Sequence, residues 1–417
     1  MRGRGKIIFV AFSTVLAFLL LISAMLGQEK ANKEPYPQLA VLSEVLSRIQ
    51  TDYVEDPQFA KVTAGSLHGM LESLDPYSSY LSPEEYKAYQ QKREDGASLG
   101  VVVSKRFGYV SIVTVLPDSP AQRAGLQPGD IFESIDGRTT REMPLAEVVN
   151  RLGGTPGSTV RLAIVRERAS EPTSFDLKRA AVTPPSPTAH MMDSGIGYLR
   201  VEAFPKGETQ QIAARIQELR KNGAKKFVMD LRGNAYGDIE EGIATANLFI
   251  SKGLIGYLKG QQYPRKSFLA DAAKAVAEEP LVVLVNSASG GASEIVAAAV
   301  MGNHRGEVVG EKTFGIGSVQ KLIPLDDGSA LILSVAKYYT PTGKEIQDGG
   351  ITPSVVVEEE RELVPLSTTS PAPAEPKKPG EDAPLKRAIE ILSSQQSPPN
   401  TAWKQVGFLS VPAYLAS

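Results

Sequence analysis

Residues 119–137 read SPAQRAGLQPGDIFESIDG, and this stretch decides the fold of the middle of the chain. Ser119 and Pro120 are residue types that open helices, and Gly125 closes this one after a turn or two. Pro128-Gly129-Asp130 then turns the chain into a short strand, Ile131–Ile135, and Asp136-Gly137 makes a tight hairpin turn. Upstream, Leu99–Val103 and Val110–Val115 read as strands with Phe107-Gly108 near the turn between them. Downstream come a helix over Leu145–Leu152, a turn at Pro156-Gly157 and a strand over Val160–Arg166.

This order of short strands with two helices, spanning residues 97–182, resembles a PDZ domain. The resemblance rests on Ser119-Pro-Ala with Arg123-Ala-Gly125, on Gly129-Asp130-Ile131 and on Ile135-Asp136-Gly137. It implies binding of an extended peptide as a strand added to a sheet edge, its terminal carboxylate gripped by backbone N–H groups. The corresponding turn is Ala97-Ser98-Leu99-Gly100, which makes Leu99, Gly100, Val101 and Val103 the candidate peptide-binding residues. The alternative is an ordinary sheet edge packed on the next domain.

Before this domain, residues 28–96 read as a helical N-terminal region. Leu39, Val41, Leu42, Val45, Leu46 and Ile49 recur at helical spacing, and Leu67, Met70, Leu71 and Leu74 repeat the pattern. Asp75-Pro76 breaks the chain. Ser82-Pro83-Glu84-Glu85 restarts it with a capping-box pattern, Ser82 as N-cap and Glu85 at the third helical position.

The two ends differ from the body. Arg2, Arg4 and Lys6 precede Ile7–Leu26, a run without a charge. Twenty helical residues rise about 30 Å, a bilayer's hydrocarbon thickness. Residues 1–27 are therefore expected to be an uncleaved signal anchor, with a cleaved signal as the alternative. The basic flank stays cytoplasmic, and the body lies in the periplasm or outside the cell. Residues 361–385, rich in proline and mixed charge, read as a linker of extended character. Into the tail, 386–417, Leu385–Leu392 has apolar residues at helical spacing that allow a short helix, and the final stretch with Trp403, Phe408 and Tyr414 is apolar enough to dock.

Composition limits the chemistry. The chain has 417 residues, 45 Lys+Arg against 47 Asp+Glu, no cysteine and three histidines. Zero cysteine excludes disulfides, thiolate metal sites and a cysteine nucleophile, and so few histidines supply multi-His sites poorly. No metal, no cofactor and no nucleic-acid partner are expected. Catalysis would rest on Ser, Lys, Asp, Glu or Tyr.

From Ile196 strands alternate with helices: Ile196–Val201, Thr209–Asn222, Phe227–Leu231, Glu240–Ile250, Leu281–Val285 and Ala292–Val300. Apolar strands separated by helices predict an α/β core with a parallel sheet covered on both faces, assigned to residues 183–360. Sites in such sheets lie at the carboxyl ends of strands. Arg232–Asp238, Asn286–Ser293 and Phe314–Gln320 fall there.

Behind a PDZ domain and in this order, these segments resemble the carboxyl-terminal processing (tail-specific) peptidases, exported enzymes with a Ser–Lys dyad. The resemblance runs from about Tyr36 to Val357. It includes the segment from Ser73 to Glu85, Asp230-Leu-Arg232, Ser293-Glu294-Ile295, Thr313-Phe-Gly315, the segment from Ala336 to Gly343, and Gly350-Ile351-Thr352-Pro353. The family's Ser-Ala-Ser-Ala-Ser-Glu turn reads Ser289-Gly290-Gly291-Ala292-Ser293-Glu294 here, so Gly291 stands at the nucleophile position. The family's Phe-Gly-Lys-Gly-Thr-Val-Gln reads Phe314-Gly315-Ile316-Gly317-Ser318-Val319-Gln320, so Ile316 stands at the base position. Gln320, which orients the lysine in the family, is kept. The Asn-Pro-Gly-Gly turn of the oxyanion hole reads Asn234-Ala235-Tyr236-Gly237, which leaves Gly237 and Ala292 as the hole region and puts tyrosine where glycine is expected.

Glycine has no atom to attack with, and isoleucine accepts no proton. Ser289 and Ser293 are the stand-in nucleophiles and Lys312 and Lys337 the stand-in bases, but a shift of two residues displaces each serine by several ångströms or about 200° of helix. The implied function is therefore an exported peptide-binding, non-catalytic relative. It would take polypeptide C-termini or unfolded segments, as a homo-oligomer or beside an active paralogue. The alternative is an active serine endopeptidase with a relocated nucleophile.

Overall fold

A computed structural model describes residues 36–92, 96–167, 171–359 and 382–394. The apolar run 7–26 and most of the Pro-rich segment lie outside the described residues. Among the described residues no helix is long and apolar enough to cross a membrane. The chain divides into two compact units, residues 1–66 and 67–417. The first holds the helix Tyr36–Asp52, whose Leu39, Val41 and Val45 are exposed, and the start of the helix Phe59–Glu72.

In the second unit Asp75 ends the helical stretch by collecting hydrogen bonds. Its carboxylate accepts from the Tyr77 and Ser78 N–H groups and from the hydroxyls of Ser78 and Ser334. The chain then runs into a strand, Ser79–Leu81, which pairs antiparallel with Ala330–Tyr339 of the α/β core. The N-terminal region is thus not wholly helical, since its Ser-Tyr-Leu contributes a strand to a core sheet. The capping box forms as expected: the Ser82 N–H donates to Glu85 Oε2 at 2.8 Å and the Glu85 N–H to Ser82 Oγ at 3.3 Å, opening Pro83–Lys92.

The next sheet runs in the order Val101–Arg106, Tyr109–Val115, Ile131–Ile135, Thr159–Val165, Thr173–Lys178, with Leu145–Leu152 packed beside it. Ser119 caps the short helix Pro120–Arg123. Asp136 and Gly137 take φ of +50° and +78°, the left-handed pair that a two-residue hairpin of this kind requires. Asp130, buried, holds Arg166 through two hydrogen bonds of 2.6 Å and closes the domain's base.

Two further sheets build the α/β core. One runs Thr188–Met192, Ile196–Arg200, Lys226–Asp230, Leu281–Val285, Glu307–Gly310, Val355–Val356, parallel except for the first antiparallel hairpin. Its central strands are buried on both faces, which is why Leu281–Val285 is apolar without alternation. Phe227, Met229, Val283 and Val285 face one core with the helices Glu208–Lys221, Ile239–Phe249 and Ala292–Gly302. Val228, Val282 and Leu284 face a second cluster, whose other side is Ala388 and Leu392 of the helix Ala383–Ser394. The division of the sequence at 385/386 therefore falls inside a helix that covers the core sheet. The other sheet, not evident from periodicity, joins Ser79–Leu81, Ala330–Tyr339, Leu254–Lys259 and Lys266–Leu269, with Ser318–Pro324 also paired to Ala330–Tyr339.

Candidate functional site

The three segments expected at the carboxyl ends of the parallel strands meet there. The Gly290 N–H and the Ser293 hydroxyl both donate to Asn234 O, at 2.9 and 2.8 Å. The Phe314 N–H donates to Ser289 O at 2.9 Å. Asn286 clips the first two turns together, its Oδ1 accepting from the Gly233 N–H at 2.9 Å and from the Ala288 N–H at 3.1 Å. Rigid turns held by backbone and amide bonds are what a binding site at a sheet's carboxyl edge requires.

Gly291 lies between strand and helix with φ +57° and ψ −114°, a backbone that glycine tolerates and side chains resist. A Cβ built on it would meet nothing within 4 Å, so the position opens into free space. Ile316 is half-buried beside it. A Cβ on Gly290 would lie 3.0 Å from Ile316 Cδ1 and 3.0 Å from Ala235 Cβ, so the isoleucine occupies room that a larger residue at 290 would contest. Position 291 is thus empty and position 316 is filled by hydrocarbon.

Glu294 anchors the loop that carries Ile316. Fully buried, its carboxylate accepts from the N–H groups of Gly291 (2.9 Å), Gly315 (2.7 Å) and Ile316 (2.7 Å) and from the Thr313 hydroxyl. Burial pushes its carboxyl up to about 7 against the pull of these donors. In the sequence this glutamate is only the middle residue of the Ser293-Glu294-Ile295 match. Its two-sided role was legible only as an acidic residue in the first turn of a helix.

Among the described residues no hydrogen bond joins a stand-in serine to a stand-in lysine. Ser289 Oγ is buried and donates to Leu231 O at 2.8 Å, while the Asn286 N–H donates to it. Ser293 Oγ is buried and spent on Asn234 O. Both serines serve to hold turns. Lys337 pairs with Glu345, and that hydrogen bond raises its pKa, the opposite of what a neutral general base needs. Lys312 is exposed. Gln320, also exposed, donates to Ser318 Oγ at 2.7 Å and to Ser334 Oγ at 3.4 Å.

In the oxyanion-hole region Gly237 has φ +117° and its Cα lies against Phe204, where a Cβ would be 2.1 Å from the carbonyl oxygen. Glycine is required there on two counts. Tyr236 sits beside it outside the left-handed region, so the tyrosine imposes no backbone strain on the turn, and its ring is partly exposed. Ala292 is buried, packed so closely on Gly242 that a Cβ there would come within 2.9 Å of the alanine's own.

In the PDZ-like domain Val101–Arg106 is the edge strand; Val103, Ser104 and Lys105 on it are buried, and Tyr77 from the preceding region packs there, its hydroxyl 3.0 Å from Ser104 Oγ. Val101 and Val103 lie on it. Leu99 does not contribute its side chain: it is wholly buried in the domain core, and its carbonyl accepts from the Ala121 N–H. Gly100, at φ +76°, lies so close to Ser119 that a Cβ would be 2.2 Å from the serine's, and its N–H donates to Ser98 Oγ at 3.2 Å. Two contacts join this domain to the site. The Arg106 guanidinium stacks 3.9 Å above the Phe314 ring and donates to the Phe314 carbonyl, and the Thr114 hydroxyl donates to Gly233 O.

Beneath the turns lies a buried charge network absent from the sequence reading. Asp230, fully buried, accepts from Arg200 Nη1 at 2.7 Å, Arg232 Nη2 at 2.6 Å and Tyr198 Oη at 2.7 Å. Burial acts to raise its carboxyl, but the two guanidiniums and the tyrosine hydroxyl outweigh it and hold it below the usual range. Arg232 continues to Asp382, at 2.9 and 2.8 Å, and to Glu359 at 3.3 Å. The signal available in the sequence was Asp382 one residue before Ala383-Pro384, a helix-start pattern.

Comparison with known proteins agrees with this arrangement. The profile of peptidase family S41 matches residues 195–357, and that of the PDZ domain matches residues 111–166. A carboxy-terminal-processing protease of Bartonella bacilliformis is 33% identical over 360 residues, 85% of this chain and 83% of that protein. A carboxyl-terminal-processing protease of Synechocystis sp. is 35% identical over 321 residues, 75% of each. The solved structure of a photosystem II D1 C-terminal processing protease superposes with a TM-score of 0.65 at 27% identity, covering 78% of this chain and 89% of that one. With this sheet order, these turns and this attached PDZ domain, the chain belongs to the carboxy-terminal-processing proteases of peptidase family S41.

Proposed function

We propose that this member of the family binds polypeptide C-termini or unfolded segments without cutting them. The observation that carries the reading is the pair Gly291 and Ile316: open space where the family places its nucleophile, and hydrocarbon packed on Gly290 where it places its base. A Ser–Lys mechanism needs a hydroxyl within hydrogen-bond reach of an amine, and neither partner is present at these positions. Ser289 and Ser293 are spent on carbonyls and Lys337 on Glu345, which speaks against a relocated dyad. The relatives are named for processing carboxy termini, and a PDZ domain whose edge strand is Val101–Arg106 suits the capture of such ends. The basic-flanked run Ile7–Leu26 supports a body anchored on the outer side of a membrane, as an adaptor or as a partner of an active relative.

The test incubates the full-length protein with a disordered substrate ending in apolar residues, alongside the Ser289→Ala and Ser293→Ala variants. Saturable binding with intact substrate is the expected result. Cleavage that disappears in one serine variant would overturn the reading in favour of a relocated nucleophile.

A further inference from the structure

The helix Ala383–Ser394 does more than cover the sheet. Asp382 caps it, Oδ1 accepting from the Leu385 N–H at 3.0 Å, and the same carboxylate takes both terminal nitrogens of Arg232. Arg232 Nη1 also reaches Glu359 Oε1, and Glu359 Oε2 accepts from Asn286 Nδ2 at 3.0 Å. The opposite end of the Asn286 amide, Oδ1, holds the N–H groups of Gly233 and Ala288, one on each site turn. An unbroken relay therefore runs from the C-terminal helix to both turns, with every intermediate a charged or amide group of fixed geometry. At its other end the helix is tied again, Lys226 Nζ donating to Leu392 O at 2.5 Å.

We propose that Asp382 is a positioning residue for the peptide site, so that the seated C-terminal helix sets the spacing of the two turns through Arg232, Glu359 and Asn286. The proposal rests on the peptide-binding reading above and takes the turns beside Gly291 and Ile316 as part of the surface that holds the peptide. Without Asp382, Arg232 keeps Asp230 and Glu359 as its carboxylate partners among the described residues, and its guanidinium is drawn toward them. Glu359 then moves relative to Asn286, and the amide that spans the turns loses its fixed orientation. A helix that merely covered apolar surface would transmit nothing of this kind.

Asp382→Asn isolates the relay, because asparagine caps a helix about as well as aspartate while carrying no charge toward Arg232. Hydrogen exchange on the full-length protein without peptide reads the turns directly. The expected result is exchange about three- to tenfold faster at Gly233 and Ala288, with peptide affinity weakened by a similar factor. Asp382→Glu, which restores the carboxylate, is expected to return both toward wild type. Glu359→Gln breaks the relay one step nearer the site and is expected to loosen the same two amides, which decides the matter should Asp382→Asn not fold. Faster exchange confined to residues 383–394, with Gly233 and Ala288 unchanged, would overturn the proposal. Should the wild-type protein bind no peptide, the peptide reading fails while the exchange measurement still tests the relay.

Discussion

A serine side chain at position 291 has room but an unfavourable backbone, since φ there is +57° and a Cβ meets nothing within 4 Å. A non-glycine residue at positive φ with ψ of −114° costs about 1–3 kcal/mol, which a stable domain tolerates. Replacing Ile316 by lysine puts an amine at the base position. The double variant Gly291→Ser/Ile316→Lys is therefore expected to fold and to show slow cleavage of a disordered substrate, while each single variant shows none. Cleavage by the wild type at the same rate would contradict this. Glu294 supplies a second prediction. Its ordinary value is 4.5 and burial raises it to about 7, so the folded state binds more protons than the unfolded chain between those values. The associated stability is fully present below about pH 4.5 and is lost as pH rises through 7. Urea titrations from pH 5 to 8 are expected to show stability falling in the wild type and a flatter profile in Glu294→Gln.

At the scale of elements, the C-terminal helix supplies the only described cover of one face of the parallel sheet. Leu392 and Ala388 are wholly buried against Val228, Val282 and Leu284. Truncating a fully buried leucine removes its transfer free energy and leaves a cavity, together about 2–5 kcal/mol. Leu392→Ala is thus expected to lower the urea midpoint clearly, whereas an exposed helix position such as Glu390 is expected to tolerate alanine. Periodicity marked this helix but not its partner, because an amphipathic stripe says that a face is buried and never against what. The strand Ser79–Leu81 shows the same limit. Three residues carry no measurable period, and only pairing with Ala330–Tyr339 makes them a strand.

At the scale of the whole second unit, the PDZ domain touches the site through few groups. Arg106 covers Phe314, two residues before Ile316, and Thr114 reaches Gly233. A cation over an aromatic ring contributes about 0.5–2 kcal/mol, depending on how dry the contact is. Arg106→Ala is expected to speed hydrogen exchange at residues 313–317 while leaving Ile131–Ile135 unchanged. A uniform rise across both would place the arginine's role in the PDZ fold instead. The sequence by itself determined the order of strands and helices over 99–166, the alternation of Ile196–Val201, Phe227–Leu231 and Leu281–Val285 with helices, the capping box at Ser82, the left-handed turn at Asp136-Gly137 and the two departures at Gly291 and Ile316. Each of these is local, set by residue types within a few positions of one another. Tertiary structure alone decided that Ser289 and Ser293 hold turns, that Glu294 anchors the loop of Ile316 and that Asp382 reaches the site through Arg232. Those roles depend on hydrogen bonds between residues 19 to 150 positions apart, a distance over which neither propensity nor spacing carries information.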